Sequence, residues 1–232
     1  MHGHIYGREG ITKLPVPTVN YLKLRPSNLI SKEFRHLLLL LFWPVFGALF
    51  YITELYLPVE FYYPMHCALD DLIPFCEWFL IPYLLWFPFL VGMHLYTLLY
   101  DLETFRRMMG YIILTYSVTL LIYWLFPTCQ ELRPEAFARE NVLTSIVAGY
   151  YAFDTNTNVC PSLHVIGSLA VMEASLYAPT IQQKWVRCAF VLCAIAISLS
   201  TVFMKQHSAI DIFAALPICF VGHLLFLRKK RP

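Results

Sequence analysis

Residues 207–227 read HSAIDIFAALPICFVGHLLFL, an apolar run whose charged or imidazole side chains are only His207, Asp211 and His223. About 20 mostly apolar residues suffice for a helix to cross the hydrocarbon layer, and a helix satisfies its own backbone polar groups there. The same reading, carried outward, finds further runs at roughly 36 to 56, 74 to 99, 108 to 127, 161 to 178 and 186 to 203. Composition agrees. Of 232 residues, 59% are hydrophobic and 14% charged, and the mean hydropathy is +0.59. Soluble domains carry roughly 25% charged residues, so an ordinary soluble protein is excluded, and so is a disordered chain. The expectation is an all-α, polytopic membrane helical bundle of about six transmembrane helices. Pro44, Pro82, Pro88 and Pro217 fall within spans and predict kinks.

Three regions follow: residues 1–35 as a cytoplasmic or interfacial N-terminal segment, 36–227 as a six-span catalytic membrane domain, and 228–232 as a basic cytoplasmic tail. Residues 1–28 are polar and Pro-punctuated, without the short apolar core of a signal peptide. Thr12 to Ile30 mixes apolar with basic residues and reads equally as a segment lying along the headgroups or as a plain tail. Alternate loops divide the basic residues unevenly. Fourteen of the 17 Lys and Arg fall on the side of the termini, and only Arg133, Arg139 and Lys205 fall on the other. Excess basic charge marks the cytoplasm, so both termini are expected there. Cys67, Cys76, Cys129 and Cys160 then lie near the outer face, as free thiols or with a disulfide in one of three pairings.

Ionisable groups at membrane depth are costly and require a partner or a function. His207 and Asp211, four apart, share a helix face, where the carboxylate holds one imidazole nitrogen and frees the other as nucleophile or base. His164, behind Cys160-Pro161-Ser162-Leu163, opens the fourth span at the same outer level. Arg133 and Lys205 lie near these histidines in the expected topology, and Arg grips phosphate in bidentate fashion. His94 and His223 read as packing residues, and Glu54 and Glu173 as paired or water-facing. Asp70, Asp71 and Glu77 form an outer acidic set in which a seven-residue separation returns Glu77 to the helical face of Asp70. With Tyr62, Tyr63 and Trp78 they read either as an amine headgroup site or as solvated carboxylates in an aromatic belt.

Over residues 105–215 the chain resembles the type 2 phosphatidic acid phosphatase superfamily, which includes lipid phosphatases, sphingomyelin synthases and inositol-phosphorylceramide synthases. The second motif of that superfamily, Pro-Ser-Gly-His, is matched by Pro161-Ser162-Leu163-His164, and Leu at the third position is closer to the inositol-phosphorylceramide synthase branch. The third motif is matched by Ser200, His207 and Asp211, with Thr201 in place of Arg. The first keeps Arg133-Pro134 but has Phe126 at the Lys position.

The resemblance implies that His207 attacks phosphorus to form a phosphohistidine, Asp211 orients it and His164 protonates the leaving lipid oxygen. Arg133, Lys205, Ser162 and Ser200 would bind the phosphate, and no metal or other cofactor is implied. The expected activity is hydrolysis of a phospholipid or lipid phosphate at the extracytoplasmic face, with lipid headgroup phosphotransfer as the alternative. The expected location is a bacterial plasma membrane, and the expected partners are a membrane lipid and the bilayer. A net charge of +2 gives no reason to expect nucleic acid. The oligomeric state stays open. A transporter and a catalytically inactive relative are the rival readings, the first disfavoured because the polar groups gather at one end of the spans rather than midway.

Overall fold

The computed structural model describes residues 16–228, and within them the protein is all-α. Eight α-helices occur: α1 (Phe42–Tyr56), α2 (Ala68–Leu72), α3 (Leu80–Tyr100), α4 (Leu102–Leu125), α5 (Val142–Phe153), α6 (Leu163–Tyr177), α7 (Lys184–Phe203) and α8 (Ala209–Gly222). A 3-10 stretch, Arg35–Leu41, leads into α1, and a π-helical turn, His223–Leu227, extends α8. Five helical stretches are long and apolar enough to cross a membrane: Arg35–Tyr56, Glu77–Tyr100, Leu102–Leu125, Lys184–Phe203 and Ala209–Leu227.

The run expected at 161 to 178 is shorter than the others. Its helix, α6, has 15 residues, about 22 Å at 1.5 Å per residue, against a hydrocarbon layer of about 30 Å. Its composition explains its place. Gly167, Ser168, Ala170, Ala174 and Ser175 are buried, and these small side chains let neighbouring helices close on it from several sides. α6 packs on α3, α4, α7 and α8 at the centre of the bundle. The surrounding helices turn Leu95, Phe87, Leu192, Phe213 and Phe220 outward.

Proline acts less uniformly than its positions in the spans suggested. Pro44 and Pro82 fall in the first turns of α1 and α3, just where the preceding 3-10 turns pass into α-helix. Pro88 and Pro217 are interior. The N-terminal stretch from 16 to 30 contains two 3-10 turns, Tyr21–Lys23 and Pro26–Asn28. It is pinned to the end of α3 by the Tyr21 hydroxyl on the Leu98 carbonyl and by Thr18 N–H on the Leu99 carbonyl, at 2.9 and 2.7 Å. Residues 12–15 and 229–232 lie outside the described residues.

The chain between α1 and α2 and between α4 and α6 is more structured than the hydropathy pattern suggested. β1 (Tyr63–Pro64) and β2 (Thr128–Cys129) pair in parallel. Helix α5 is capped by Asn141, which accepts from Thr144 N–H while the Thr144 hydroxyl accepts from Asn141 N–H. A second apolar cluster around Leu80, Tyr83, Val147 and Met204 packs this cap onto the bundle.

Gly167 lets two aromatic side chains reach the middle of the bundle. A Cβ there would stand 2.6 Å from Tyr116 Oη and 2.9 Å from Trp86 Nε1. Gly167→Ala is therefore expected to cost about 1–3 kcal/mol through overpacking. Gly92→Ala, with nothing within 4 Å of the new methyl, should be neutral or slightly stabilising. Thermal midpoints of the two variants in one detergent check the contrast.

Candidate active site

Three segments meet at the end of the bundle where α6 and α8 begin and α7 ends. The first is the start of α8. Ser208 caps it, accepting from Ile210 N–H at 3.2 Å, while Asp211 Oδ2 accepts from Ser208 N–H at 3.1 Å. Two oppositely placed demands thus meet in one carboxylate, because Asp211 Oδ2 also takes the proton-bearing side of His207 Nδ1, at 2.9 Å. This pairing leaves His207 Nε2 without a partner among the described residues. The turn before it is tight: Lys205 adopts a φ of 53°, and Gln206 and His207 N–H both donate to the Thr201 carbonyl.

The second segment is the start of α6. Ser162 is its cap, and Ser162 N–H donates to the Asp211 carbonyl at 3.2 Å, tying α6 to α8. That tie brings His164 beside His207, with ring centroids 5.5 Å apart and planes at 68°. His164 is flanked by Tyr83 and Trp86 at centroid distances of 4.8 and 4.4 Å, and no described residue hydrogen-bonds its ring nitrogens.

The third segment is the extended chain from Asp154 to Cys160. Glu54, at the end of α1, accepts from Thr155 Oγ1 (2.5 Å), Thr157 Oγ1 (2.8 Å) and Asn158 Nδ2 (2.7 Å). Thr128 Oγ1 accepts from the N–H groups of Val159 and Cys160. Between this segment and the helices lies a cavity of about 270 Å³. His164, His207, Gln206, Asp154 and Asn158 line its polar end, and Trp43, Phe46, Phe50, Trp86, Tyr116 and Tyr123 are among its apolar walls. The Trp43 indole N–H donates to His94 Nε2 at 3.3 Å and links α1 to α3.

The histidines and Asp211 are thus together with Ser162, but none of the four expected phosphate ligands lines the cavity. Arg133 spends four donors on the protein: Nη1 on the carbonyls of Tyr151 and Asp154, Nη2 on the Thr155 carbonyl and Gln206 Oε1, at 2.6 to 3.0 Å. It also stacks on the Tyr151 ring at 4.7 Å. Its role here is to hold the cavity wall. Lys205 Nζ donates to the Asp70 carbonyl at 2.8 Å; burial pushes its ammonium down against the opposing pull of Asp70 and Asp71. Ser200 Oγ turns back to the Ile197 carbonyl within α7, and Ser162 serves as a cap. No Lys or Arg lines the cavity.

The outer acidic set is not one site. α2 ends at Leu72 and Pro74 intervenes, so the seven-residue helical spacing to Glu77 does not apply. Asp70 turns inward, accepting from Ser208 Oγ (2.5 Å), Ala209 N–H (2.8 Å) and Cys67 N–H (2.8 Å). Asp71 pairs with His66 at the surface at 2.7 Å. Glu77 accepts from Asn141 Nδ2 at 3.2 Å, with Arg139 3.8 Å away. Glu173 pairs with His223 at 2.8 Å, at the far end of the bundle. All seven cysteines are free.

The sequence reading did not assign Asp154, Gln206, Asn158 or Glu54 to the site. Gln206 adjoins His207 and was within reach of inspection; the others belong to it only through folding of the 154–160 chain. Among the described residues no group of three or more His, Cys, Asp or Glu is placed to hold a metal ion. Compared with protein-family models, curated proteins and solved structures, the chain has no match.

Asp70 yields a stability prediction with a pH signature. Burial pushes its carboxyl up, but the bonds from Ser208, Ala209 and Cys67 outweigh this and hold it below the usual range. A carboxyl lowered in the folded state stabilises above its unfolded pKa of about 3.9, and that contribution disappears as pH falls through the folded value. Asp70→Asn should thus cost about 2 kcal/mol or more at neutral pH, with the gap to the parent closing below pH ~4. Asp71→Asn, at an exposed pair, should stay within about 0.5 kcal/mol. Unfolding midpoints across the pH range check both.

Proposed function

We propose that the chain is an integral membrane enzyme that cleaves a lipid phosphoester through a covalent intermediate on His207. The observation that carries this reading is the pair of imidazoles 5.5 Å apart, one oriented by Asp211, on the wall of a cavity that is otherwise largely aromatic. The same residues carry the resemblance to the type 2 phosphatidic acid phosphatase superfamily. In the first step His207 Nε2 attacks phosphorus; an N–P bond forms, the P–O bond to the lipid alcohol breaks, and His164, as imidazolium, gives its proton to the leaving oxygen. In the second step an acceptor oxygen attacks phosphorus, His164 takes its proton and the N–P bond breaks. Asp211 stabilises the imidazolium character of His207 as it reacts.

The membrane reading rests on the five long apolar helices, with α6 as a sixth, shorter span enclosed by the others. Orientation rests on charge. Arg106 and Arg107 follow the end of α3, Lys184 follows α6, and Arg228 follows the last turn. These ends lie opposite the starts of α6 and α8. Both termini are then cytoplasmic and the cavity faces the other side.

Water as acceptor makes the enzyme a hydrolase. The second reading is headgroup phosphotransfer to an alcohol, and one observation favours it. No Lys or Arg lines the cavity, so a phosphomonoester with nearly two negative charges is a poorer fit than a phosphodiester with one, and a phosphodiester is what a headgroup transferase takes.

With the full chain in nanodiscs and labelled lipids, His207→Ala should abolish both turnover and acid-quenched phosphoenzyme. His164→Ala should lose roughly 100- to 10,000-fold and recover in part on a nitrophenyl ester, whose leaving group needs no proton. Near-normal product release by His207→Ala would refute the assignment. A labelled lipid alcohol included in the assay separates hydrolysis from transfer by the product formed.

For topology, a single cysteine replacing Glu135 in a cysteine-free background should react with an impermeant thiol reagent from the extracytoplasmic side. Reaction only after the cytoplasmic side is opened would reverse the orientation.

A further inference from the structure

One carboxylate, Asp154, lines the cavity, and the phosphoryl chemistry above gives it no task. Asp154 follows the C-terminus of α5 and lines the cavity together with His164 and His207. Its position is built. Arg133 Nη1 holds its backbone carbonyl at 3.0 Å, and Gln206, next to His207, donates to its Oδ2 at 3.4 Å. Gln206 is itself fixed by Arg133 at 2.6 Å. The remaining lining includes the faces or edges of Phe50, Trp86, Tyr116 and Tyr123.

We infer that Asp154 is a charge-selecting residue that favours a phosphodiester lipid carrying an ammonium group on its headgroup and disfavours a dianionic phosphomonoester. The inference rests on the reading of His207 and His164 as the phosphoryl site. Three observations converge on it. The cavity has a carboxylate and no Lys or Arg, so a positive headgroup finds an opposite charge there, and the second negative charge of a monoester finds no ammonium or guanidinium on the lining. The two cations expected to bind the phosphate spend their donors on protein oxygens, Arg133 on the carbonyls of Tyr151, Asp154 and Thr155 and on Gln206, and Lys205 on the Asp70 carbonyl. Aromatic walls beside a carboxylate form the environment in which ammonium and quaternary ammonium groups are held by charge and cation–π attraction. Burial pushes the Asp154 carboxyl above its usual range, although His207 and Arg133 draw it back. An ammonium beside it restores part of what desolvation costs.

The test uses the full-length protein in detergent with short-chain phosphatidylcholine, phosphatidylethanolamine, phosphatidylglycerol and phosphatidic acid, binding being read from the ligand-induced shift in thermal midpoint. The parent should bind the two amine-bearing lipids about tenfold or more tighter than phosphatidic acid. Asp154→Asn should lose about tenfold for those two, leave phosphatidylglycerol within about twofold, and bind phosphatidic acid more tightly. A parent that prefers phosphatidic acid, or an Asp154→Asn protein weakened equally for all four lipids, overturns the inference. His207→Ala separates the two levels. If it still releases product and yields phosphoenzyme, both readings fall; if it does neither while Asp154→Asn leaves the four affinities unchanged, only the role of Asp154 falls.

Discussion

The positive end of α8 organises this end of the molecule. Its first N–H groups have no partner within the helix, and two buried carboxylates supply them: Asp70 accepts from Ala209 and Asp211 from Ser208. Each carboxylate also holds a side chain, Asp70 the Ser208 hydroxyl and Asp211 the His207 imidazole. A helix N-terminus favours negative charge, so two carboxylates that would be expensive to bury singly are held in one place. One further bond, from Ser162 to the Asp211 carbonyl, sets the start of α6, and with it His164, against the same point.

The rest of this end of the bundle supports the arrangement with residues that resemble ligands in sequence but act as ties. Arg133 gathers three carbonyls and Gln206 into one wall, and Glu54 gathers Thr155, Thr157 and Asn158. An extended chain buried at a bundle end has many backbone groups to satisfy, and one guanidinium and one carboxylate meet much of that need. The consequence is a cavity lined by Asp154 and two imidazoles and by no Lys or Arg.

Much of the architecture was legible from hydropathy. Runs of 20 or so apolar residues mark the long helices because burial in an apolar medium depends on length and composition alone. The pairing of His207 with Asp211 was legible for a similar reason: a four-residue spacing on a helix is local geometry. Helix α5 and the strands at 63–64 and 128–129 were not. They are short: the apolar residues of α5 are organised by contact with Tyr83, Met204 and the 77–79 turn, and the two strands by each other, rather than by a period of their own. The acidic set misled because Pro74 ends the helix on which the seven-residue spacing depended.

By itself, then, the amino-acid sequence determined the helical class, the long apolar segments and the neighbours within a single turn, since each follows from composition or from a spacing of a few residues. Which polar groups meet was decided only by the tertiary structure. Glu54 reaches residues 155–158, Asp70 reaches 208 and 209, and Arg133 reaches 151–155 and 206, separations over which no sequence period carries information. Hydrogen-bonding capacity is the reason: Arg and Asp can serve equally as ligand or as structural tie. The choice depends on which unpaired backbone groups the folded chain brings within about 3 Å.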